Sequence, residues 1–364
     1  MSPQTLAEFA QAAERRLDPA VWAWLSGGAG NEHTLRANVQ AWQRLPLWPR
    51  MLKPLVGGHT RIHLAGRELV HPILLAPVAL QQLVHPDGEW ASALAAAAQG
   101  AGFILSTQSS VALERVAEAV LADPGRGPLW FQLYWQADRG FNQALAQRAE
   151  AAGYEAIVLT VDAPVQGVRD RERQAGFALP AGVRVVHLQD APATPHADGT
   201  YCAGIPAAAP TWDDVAWLQA HTQLPVWLKG VLHPLDARQA RQLNVAGLIV
   251  SNHGGRTLDG APATAAALPL VRAAVGDGLP LVVDGGIRRG TDVLKAIALG
   301  ADAVAIGRPM LWALAAGGAQ GVARLIRLLR DELEMALALT GCRTLADVNP
   351  GLLAPAAGPP GNAP

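Results

Sequence analysis

Eight short apolar segments recur along the chain, and turn residues and a helix-compatible stretch follow each of them. Most of the eight are apolar at every position rather than at alternate positions, which is typical of parallel strands buried on both faces. Between them lie alanine- and leucine-rich stretches, such as residues 89–102 and 291–301, whose spacing suits amphipathic helices. The eight segments are residues 73–77, 103–107, 129–135, 156–162, 225–230, 247–252, 280–286 and 303–309.

Strand–helix alternation repeated eight times predicts an α/β fold, a closed (β/α)8 barrel of the TIM type. We expect residues 1–355 to form one domain, because α/β barrels commonly fill roughly 250 or more residues as a single unit. Residues 1–70 are expected to be an N-terminal extension of helices and a small hairpin that closes one barrel end. The last residues, 356–364, are rich in Gly, Pro and Ala and are expected to be a disordered tail.

The connection between the fourth and fifth strand segments is far longer than its neighbours. It spans residues 163–224, and its middle, about residues 170–212, is rich in Pro, Ala and Gly. Long irregular connections inside compact domains are usually functional lids or disordered segments. Because this one leaves the carboxyl end of a strand, where barrel enzymes carry their sites, we expect it to be a lid loop.

Composition argues against several kinds of partner. The 29 Lys and Arg residues nearly balance the 30 Asp and Glu residues, so the chain carries no electrostatic signature for nucleic acid or an anionic membrane. No uncharged apolar run reaches the length of about 18 residues that a membrane span needs. Cys202 and Cys342 are too few for a disulfide framework or a zinc cluster, and we expect no metal. Residues 1–20 lack a secretory hydrophobic segment, so a cytoplasmic protein is expected.

Polar, charged and glycine residues gather where the eight predicted strands end, and barrel active sites lie at these carboxyl ends. Any single member of the set could be an ordinary packing or loop residue, but a soluble barrel rarely places so many potential ligands there. The set comprises Pro77, Val78, Ala79, Ser106, Gln132, Tyr134, Thr160, Asp162, Lys229, Ser251, His253, Arg256, Asp284, Gly285, Gly286, Arg288, Gly307 and Arg308.

The last two strand segments end in sequences that predict a phosphate site. These are DGGIRRG, residues 284–290, and AIGRP, residues 305–309. Glycines let backbone N–H groups approach an anion, and Arg288 and Arg308 can add charge-assisted hydrogen bonds. The pattern indicates a phosphorylated cofactor or substrate without specifying which.

Two longer stretches, SNHGGRTLDGAPAT (residues 251–264) and LVVDGGIRRGTDVLKAIALGADAVAIGRP (residues 281–309), resemble the FMN-dependent L-2-hydroxy acid oxidase and dehydrogenase family. That family includes glycolate oxidase, lactate oxidase and mandelate dehydrogenase. The resemblance runs from about residue 21 to about residue 348 and takes in LLAPVALQQLVHPDGE, FQLYW and LTVDAPVQGVRDR in matching order. It implies FMN as cofactor and the oxidation of an (S)-2-hydroxy acid to the 2-oxo acid.

The resemblance assigns most of the strand-end residues to FMN. The backbone of Val78 and Ala79, after Pro77, would meet the flavin edge near N5, and Lys229 would stabilise the negative charge of the reduced flavin. The implied ligands of the polar ring atoms are Ser106, Gln132, Thr160 and Ser251. Those of the ribityl chain and phosphate are Asp284, Gly285, Gly286, Arg288, Gly307 and Arg308.

The remaining residues would bind the acid and carry the chemistry. His253 would be the base, because imidazole titrates near neutral pH, and Asp162 would orient it. Arg256 would hold the substrate carboxylate in its rigid fork, with Arg169 as a second arginine, and Tyr134 would hydrogen-bond the substrate hydroxyl. The α-hydrogen could leave as a proton or as hydride, since both routes use the same residues.

Three residues depart from the family pattern. Trp24 stands where many members carry a tyrosine whose hydroxyl helps hold the carboxylate; alternatively, Trp24 is a packing residue in a slightly shifted segment. Val78 replaces a frequent threonine. Gln108 occupies a position that is often aromatic and lines the pocket for the substrate side chain. These changes concern which acid is preferred rather than the type of reaction.

Oxygen is the expected electron acceptor, with hydrogen peroxide as product, because Ala79 matches the oxidase-like members of the family. A quinone or cytochrome acceptor and a monooxygenase reaction are the alternatives. Two other classes stay open: a different FMN- or phosphate-binding barrel, such as a type 2 isopentenyl diphosphate isomerase or an inosine monophosphate dehydrogenase-like enzyme, and a catalytically silent flavin-binding protein. The resemblance also suggests a homo-oligomer, often a tetramer.

Overall fold

The structure is a computed structural model that describes residues 3–191 and 209–355. Three helices and an antiparallel hairpin precede the barrel. The hairpin closes one barrel end, because its Leu64 and Leu69 belong to the same buried cluster as the barrel interior. In chain order these elements are α1 (Leu6–Arg16), α2 (Pro19–Ser26), α3 (His33–Gln43), β1 (Ile62–Leu64) and β2 (Arg67–Leu69).

Eight parallel strands then close into a barrel, which confirms the predicted (β/α)8 fold. Each strand overlaps one of the eight apolar segments. The ring closes where the last strand pairs with the first, with Val304 opposite Ile73. The strands are β3 (Ile73–Leu75), β4 (Gly102–Ser106), β5 (Leu129–Tyr134), β6 (Ile157–Thr160), β7 (Val226–Lys229), β8 (Gly247–Val250), β9 (Leu281–Val283) and β10 (Ala303–Ile306).

Helices surround the barrel, and most of them bury one face against it. In α5 the buried residues are Leu113, Val116, Ala117 and Val120, a spacing of three and four that places them on one face. The helices are α4 (Gly88–Ala98), α5 (Leu113–Val120), α6 (Arg139–Ala151), α7 (Asp170–Gln174), α8 (Trp212–Ala220), α9 (Pro234–Gln242), α10 (Thr264–Val275), α11 (Gly290–Ala298) and α12 (Arg308–Leu339), the last broken at Gly317–Gly318. Short 3-10 helices cover Gln81–Leu83, Leu345–Asp347 and Pro350–Leu352.

Two tryptophans fill much of the barrel interior. The rings of Trp130 and Trp227 are fully buried, with centroids 4.7 Å apart. Gly247 of β8 makes room for them, because a Cβ built on it would lie 2.3 Å from the Trp227 indole. Bulky and very small residues therefore pack together in the interior and fill it. This packing leaves space for a ligand at the end of the barrel rather than in its interior.

The described part of the connection after β6 is held at the carboxyl end of β4. Val186 donates its backbone N–H to the Ser109 carbonyl at 3.1 Å. The ring of His187 is buried, with Nδ1 3.1 Å from the Thr107 carbonyl and Nε2 accepting the Leu113 N–H at 3.0 Å. Residues 192–208 of the predicted lid, and the predicted tail 356–364, lie outside the described residues, so the lid, the tail and the domain boundaries stay predictions.

Within the described residues, no helix has both the length and the apolar character that crossing a bilayer would require.

Replacing Gly247 with alanine is expected to lower the free energy of unfolding by about 1–3 kcal/mol, because an added methyl group would overpack the buried Trp227 ring. Chemical denaturation of the variant and the parent protein measures the difference. Gly278→Ala is the matched control, since a Cβ at that position meets no atom within 4 Å. If Gly247→Ala is as stable as the parent protein, the interior repacks freely and this account of it is wrong.

Candidate active site

One cavity of about 330 Å³ lies at the barrel mouth, where the strands end. Most of the predicted site residues line it, because the carboxyl ends of parallel strands meet at one end of a barrel. They are Trp24, Pro77, Val78, Ala79, Gln108, Tyr134, Arg169, Lys229, His253, Arg256, Asp284, Gly285, Gly286, Arg288, Gly307 and Arg308. The others, Ser106, Gln132, Thr160, Asp162 and Ser251, contact one another or these residues.

Three of those residues form a hydrogen-bonded row at the ends of β4, β5 and β6. Ser106 Oγ donates to Gln132 Oε1 at 3.0 Å, and Gln132 Nε2 donates to Thr160 Oγ1 at 2.9 Å. All three side chains are buried. Parallel register places Ser106 directly beside Gln132, so adjacent strand ends present their polar atoms side by side.

A second chain of polar contacts crosses the mouth through His253. Its Nδ1 lies 3.0 Å from Asp162 Oδ1, and its Nε2 lies 3.0 Å from the Tyr134 hydroxyl. The Tyr134 and His253 rings are nearly parallel, with an interplanar angle of 21°. One edge of the imidazole therefore faces a carboxylate and the other faces a phenol.

The turn after β8 explains the two glycines between His253 and Arg256. His253, Gly254 and Gly255 all have left-handed backbones, with φ of 57°, 63° and 75°. A Cβ on Gly255 would lie 2.6 Å from the backbone nitrogen of Leu35 at the start of α3. Glycine is needed there both for the left-handed conformation and for this close approach, which turns Arg256 back over the cavity.

Burial and nearby charges set the protonation states of Asp162, His253 and Tyr134. Burial lowers the pKa of His253, and the positive charge of Lys229 lowers it further, so the imidazole is neutral at neutral pH. Burial alone would raise the pKa of Asp162, but His253 and Lys229 outweigh it and the pKa is lowered. Burial raises the pKa of Tyr134, which keeps its proton. An ionised Asp162 requires a proton on Nδ1 of His253, so Nε2 is the basic nitrogen and accepts from Tyr134.

Lys229 lies between the Asp162–His253–Tyr134 contacts and the opposite wall of the cavity, which carries Asp284. Its Nζ donates to Ser251 Oγ at 3.1 Å and lies 3.6 Å from Asp284 Oδ2. Burial opposes its charge, but Asp284 and Asp162 outweigh that effect and raise the pKa of Lys229. The other oxygen of Asp284, Oδ1, is buried without a hydrogen-bond partner among the described residues. It is an acceptor suited to a hydroxyl group, such as one on a ribityl chain.

Arg308 ties two separate backbone segments together at the far side of the cavity. Its guanidinium donates to the carbonyls of Leu25 at 3.2 Å, Gly27 at 2.7 Å and Gly254 at 2.8 Å. Burial lowers the pKa of Arg308 well below its usual range, and the nearby charges of Arg256 and Arg288 lower it further. An anion bound here would offset that crowding of positive charge.

The same region has the groups that a phosphate needs. Arg288 is partly buried, with its Cζ 4.9 Å from the Trp312 ring centroid, and desolvation lowers its pKa to about 10. Helix α12 begins at Arg308, and its N-cap residue, Gly307, has no side chain that could cap the first turn. Gly285 and Gly286 are left-handed, with φ of 87° and 84°. Uncapped backbone, glycine turns and buried guanidiniums together fit a phosphate group, and with Asp284 they fit the phosphate and ribityl chain of FMN.

Trp24 supplies both a wall and a backbone contact to the other end of the cavity. Its ring stacks on Phe177, with centroids 5.6 Å apart, and the Arg256 Cζ lies 5.5 Å from its centroid. Its carbonyl accepts from Arg256 Nη1 at 2.7 Å, and the Gly27 carbonyl accepts from the same nitrogen at 3.1 Å. Trp24 is therefore both packed against a neighbour and exposed to the cavity.

Several cavity residues are absent from the prediction. Phe177, Leu179 and Val185 come from the long connection, where no periodic pattern distinguishes them, and Glu172 comes from α7. One feature of the sequence could have identified Glu172 as a site residue. It follows Arg169 by three residues in a charged stretch, a spacing at which side chains meet on a helix. Its Oε2 lies 3.4 Å from Arg169 Nη1 and 3.9 Å from Arg256 Nη2.

Comparison with known proteins gives a family. The family model for FMN-dependent dehydrogenases matches residues 13–355. The chain is 49% identical over 353 residues to an L-lactate oxidase of Alicycliphilus denitrificans, covering 96% of this chain and 95% of that protein. It is 45% identical over 354 residues to a 4-hydroxymandelate oxidase of Amycolatopsis orientalis, covering 95% and 96%. A solved structure of mandelate oxidase with benzoyl-formic acid matches with a TM-score of 0.88 at 43% identity, covering 97% and 98%. The chain belongs to the FMN-dependent dehydrogenase family, as the resemblance in its sequence predicts.

Proposed function

We propose that this protein is an (S)-2-hydroxy-acid oxidase that uses FMN to convert a 2-hydroxy acid into the 2-oxo acid. One observation carries the proposal: a carboxylate–imidazole–phenol chain and a pair of guanidiniums face one cavity, whose other end is suited to a phosphate. The names of the oxidases to which the chain is similar support the same reaction.

The substrate carboxylate would bind Arg256 and Arg169, and the hydroxyl would lie beside the contact between Tyr134 and His253, within reach of both side chains. Arg256 is already oriented, because its Nη1 is held by the carbonyls of Trp24 and Gly27. Binding two functional groups of a small acid at fixed points orients its α-carbon and lowers the entropic cost of reaching the transition state. Gln108, Val78 and the Trp24 ring would contact the side chain of the acid.

His253 would take a proton from the substrate at Nε2, the nitrogen that carries no proton in its neutral tautomer. Asp162 would stabilise the resulting imidazolium and hold the ring in place, while Tyr134 would donate to the substrate oxygen. FMN, when bound, supplies a two-electron acceptor that dioxygen can reoxidise with release of hydrogen peroxide. The substrate thus loses two electrons and two protons overall and becomes the 2-oxo acid.

The residues that would hold FMN divide by the part of the molecule they suit. The backbone from Pro77 to Ala79 would face the ring edge, and Lys229 would stabilise negative charge on the ring. The row of buried polar side chains, with Ser251, would bind the polar ring atoms; its members are Ser106, Gln132 and Thr160. The ribityl chain and phosphate would lie against Asp284, Gly285, Gly286, Arg288, Gly307 and Arg308.

Dioxygen as the acceptor, a cytoplasmic location and assembly into a homo-oligomer, a tetramer, are further parts of the proposal. A loop after α3 supports assembly, because it exposes four large apolar side chains that a partner subunit would cover. Each of the four is more than half exposed: Trp48, Met51, Leu52 and Val56. The part of the connection after β6 that lines the cavity supports a lid role for that connection.

The wild-type enzyme loaded with FMN should be bleached anaerobically by an (S)-2-hydroxy acid and recover its colour with oxygen. His253→Ala should keep bound FMN but reduce it more slowly, by about 100- to 10,000-fold, because the base is lost. Anaerobic stopped-flow absorbance measures both rates. A wild-type enzyme that no 2-hydroxy acid bleaches contradicts the proposed function, whereas an unchanged rate in His253→Ala removes that residue from the base role.

Arg256→Lys should weaken binding of the acid by roughly 10-fold or more while FMN affinity stays close to normal, because one ammonium cannot replace a fork that contacts both backbone carbonyls and a carboxylate. Titration with the 2-oxo acid product gives the dissociation constant without turnover. Arg173→Lys, on the outer face of α7, is the control. Equal affinity for the acid in all three proteins would mean that the carboxylate binds elsewhere.

The pH dependence of kcat/KM should report the lowered pKa of His253. The base works only when neutral, so activity should persist as pH falls to 6.5 and decline only below that value, as the imidazole gains a proton. Steady-state rates between pH 5 and 9 test this. A decline with its midpoint above pH 7 would mean that His253 is stabilised in its charged form, contrary to its buried position beside Lys229.

A further inference from the structure

Helix α7 carries four charged residues in succession, and the side chain of Glu172 points in a different direction from the other three. Arg173 pairs with Asp170, and Arg171 pairs with Glu32; all three of these α7 side chains are more than 40% exposed. Glu172 turns the opposite way and lines the active-site cavity, with only 21% of its side chain exposed. It thereby brings a negative charge to the end of the cavity where the substrate carboxylate would bind.

A single oxygen of Glu172 contacts both substrate-binding arginines. Its Oε2 lies 3.4 Å from Arg169 Nη1 and 3.9 Å from Arg256 Nη2. Both guanidiniums are well shielded, with side-chain exposures of 16% and 15%. Ion pairs in such positions are screened much less by salt and water than pairs at the surface.

The two arginines keep hydrogen-bonding capacity beside Glu172. Within the described residues, Nε of Arg169 is buried without a partner. Arg256 uses Nη1 for backbone carbonyls, while its Nη2 points toward Glu172. A substrate carboxylate can therefore bind the pair while Glu172 stays in place.

The local charge matches one carboxylate and no more. Two guanidiniums and one carboxylate leave a net charge of +1, which a monoanionic acid neutralises. A second carboxylate on the substrate side chain would meet the negative charge of Glu172, and beside it a wall made of Trp24, Phe177 and Leu179 that offers no compensating cation. Like charges brought together in a partly desolvated site repel strongly.

We propose that Glu172 is a specificity-determining residue that restricts this enzyme to 2-hydroxy acids with a single carboxylate. It does so by cancelling one of the two positive charges that would otherwise attract a dicarboxylate. Repulsion of this kind is a common means of specificity, because an unfavourable contact lowers the affinity for the wrong ligand and not for the right one. The inference rests on the proposed function.

The test compares Glu172→Gln with the wild-type FMN enzyme on a matched pair of acids. (S)-2-hydroxypentanedioate and (S)-2-hydroxy-5-methylhexanoate differ in that a terminal carboxylate in the first is an isopropyl group of similar shape in the second. The ratio of their kcat/KM values isolates the second carboxylate. Glutamine keeps the length of glutamate and an oxygen for Arg169, so the ratio should shift toward the dicarboxylate by about 10- to 100-fold.

Two further variants separate a specific contact from general effects. Asp170→Asn removes the same charge from the outer face of the same helix, and Glu172→Asp keeps the charge with a shorter side chain. Both should retain a ratio close to that of the wild type. An unchanged ratio in Glu172→Gln, or an equal shift in Asp170→Asn, would overturn the proposal.

Calorimetric binding of the two corresponding 2-oxo acids gives a readout that does not depend on turnover. Glu172→Gln should bind 2-oxopentanedioate more tightly relative to 5-methyl-2-oxohexanoate, by the same factor as the shift in kcat/KM. A wild-type enzyme that binds the mono-acid but oxidises neither substrate would contradict the proposed function alone. An active wild type whose relative affinities do not change in Glu172→Gln would contradict only the role of Glu172.

Discussion

Positive charge buried at the barrel mouth is the constraint on which this site depends. A guanidinium taken out of water is costly unless every donor finds a partner. Arg308 meets part of that requirement by donating three of its five N–H groups to carbonyls, two at the end of α2 and one in the turn after β8. The charge thereby draws together parts of the chain that are far apart in sequence. Arg288 and Arg256 lie close enough to lower the pKa of Arg308 further. The described residues leave this crowding of charge only partly neutralised, as the proposed binding of a phosphate and a carboxylate in the cavity would require.

A network of alternating charges joins the two ends. Asp284, Lys229, Asp162 and His253 lie at or just beyond the ends of β9, β7, β6 and β8, so two carboxylates flank the ammonium and the neutral imidazole follows the second of them. Lys229 stays charged because two carboxylates flank it, and burial together with the charge of Lys229 keeps the imidazole neutral. The part of the cavity suited to a cofactor and the part suited to an acid are thus tuned by one shared lysine.

The N-terminal extension contributes more than a cover for the barrel. The end of α2 presents the carbonyls of Trp24 and Gly27 to Arg256, and the Trp24 ring forms a wall with Phe177. The extension thereby orients the guanidinium through its backbone, which depends little on the side chain at position 24. In the proposed function the indole would instead shape the space for the side chain of the acid, and Glu172 would set the charge beside it.

The sequence by itself determined the barrel and most of the mouth. Continuous apolar runs specify buried parallel strands, and the carboxyl ends of such strands meet at one end of a barrel. The sequence alone therefore predicts that His253, Asp162 and Lys229 lie close together. The family resemblance added Arg169 and Trp24. Only the tertiary structure decided which way Glu172 turns, that the carbonyl of Trp24 holds Arg256, that His187 fastens the long connection to β4, and that one oxygen of Asp284 is left for a ligand. These features depend on side-chain rotamers and on contacts between segments that are distant in sequence. Local patterns of apolar and polar residues do not predict either of them.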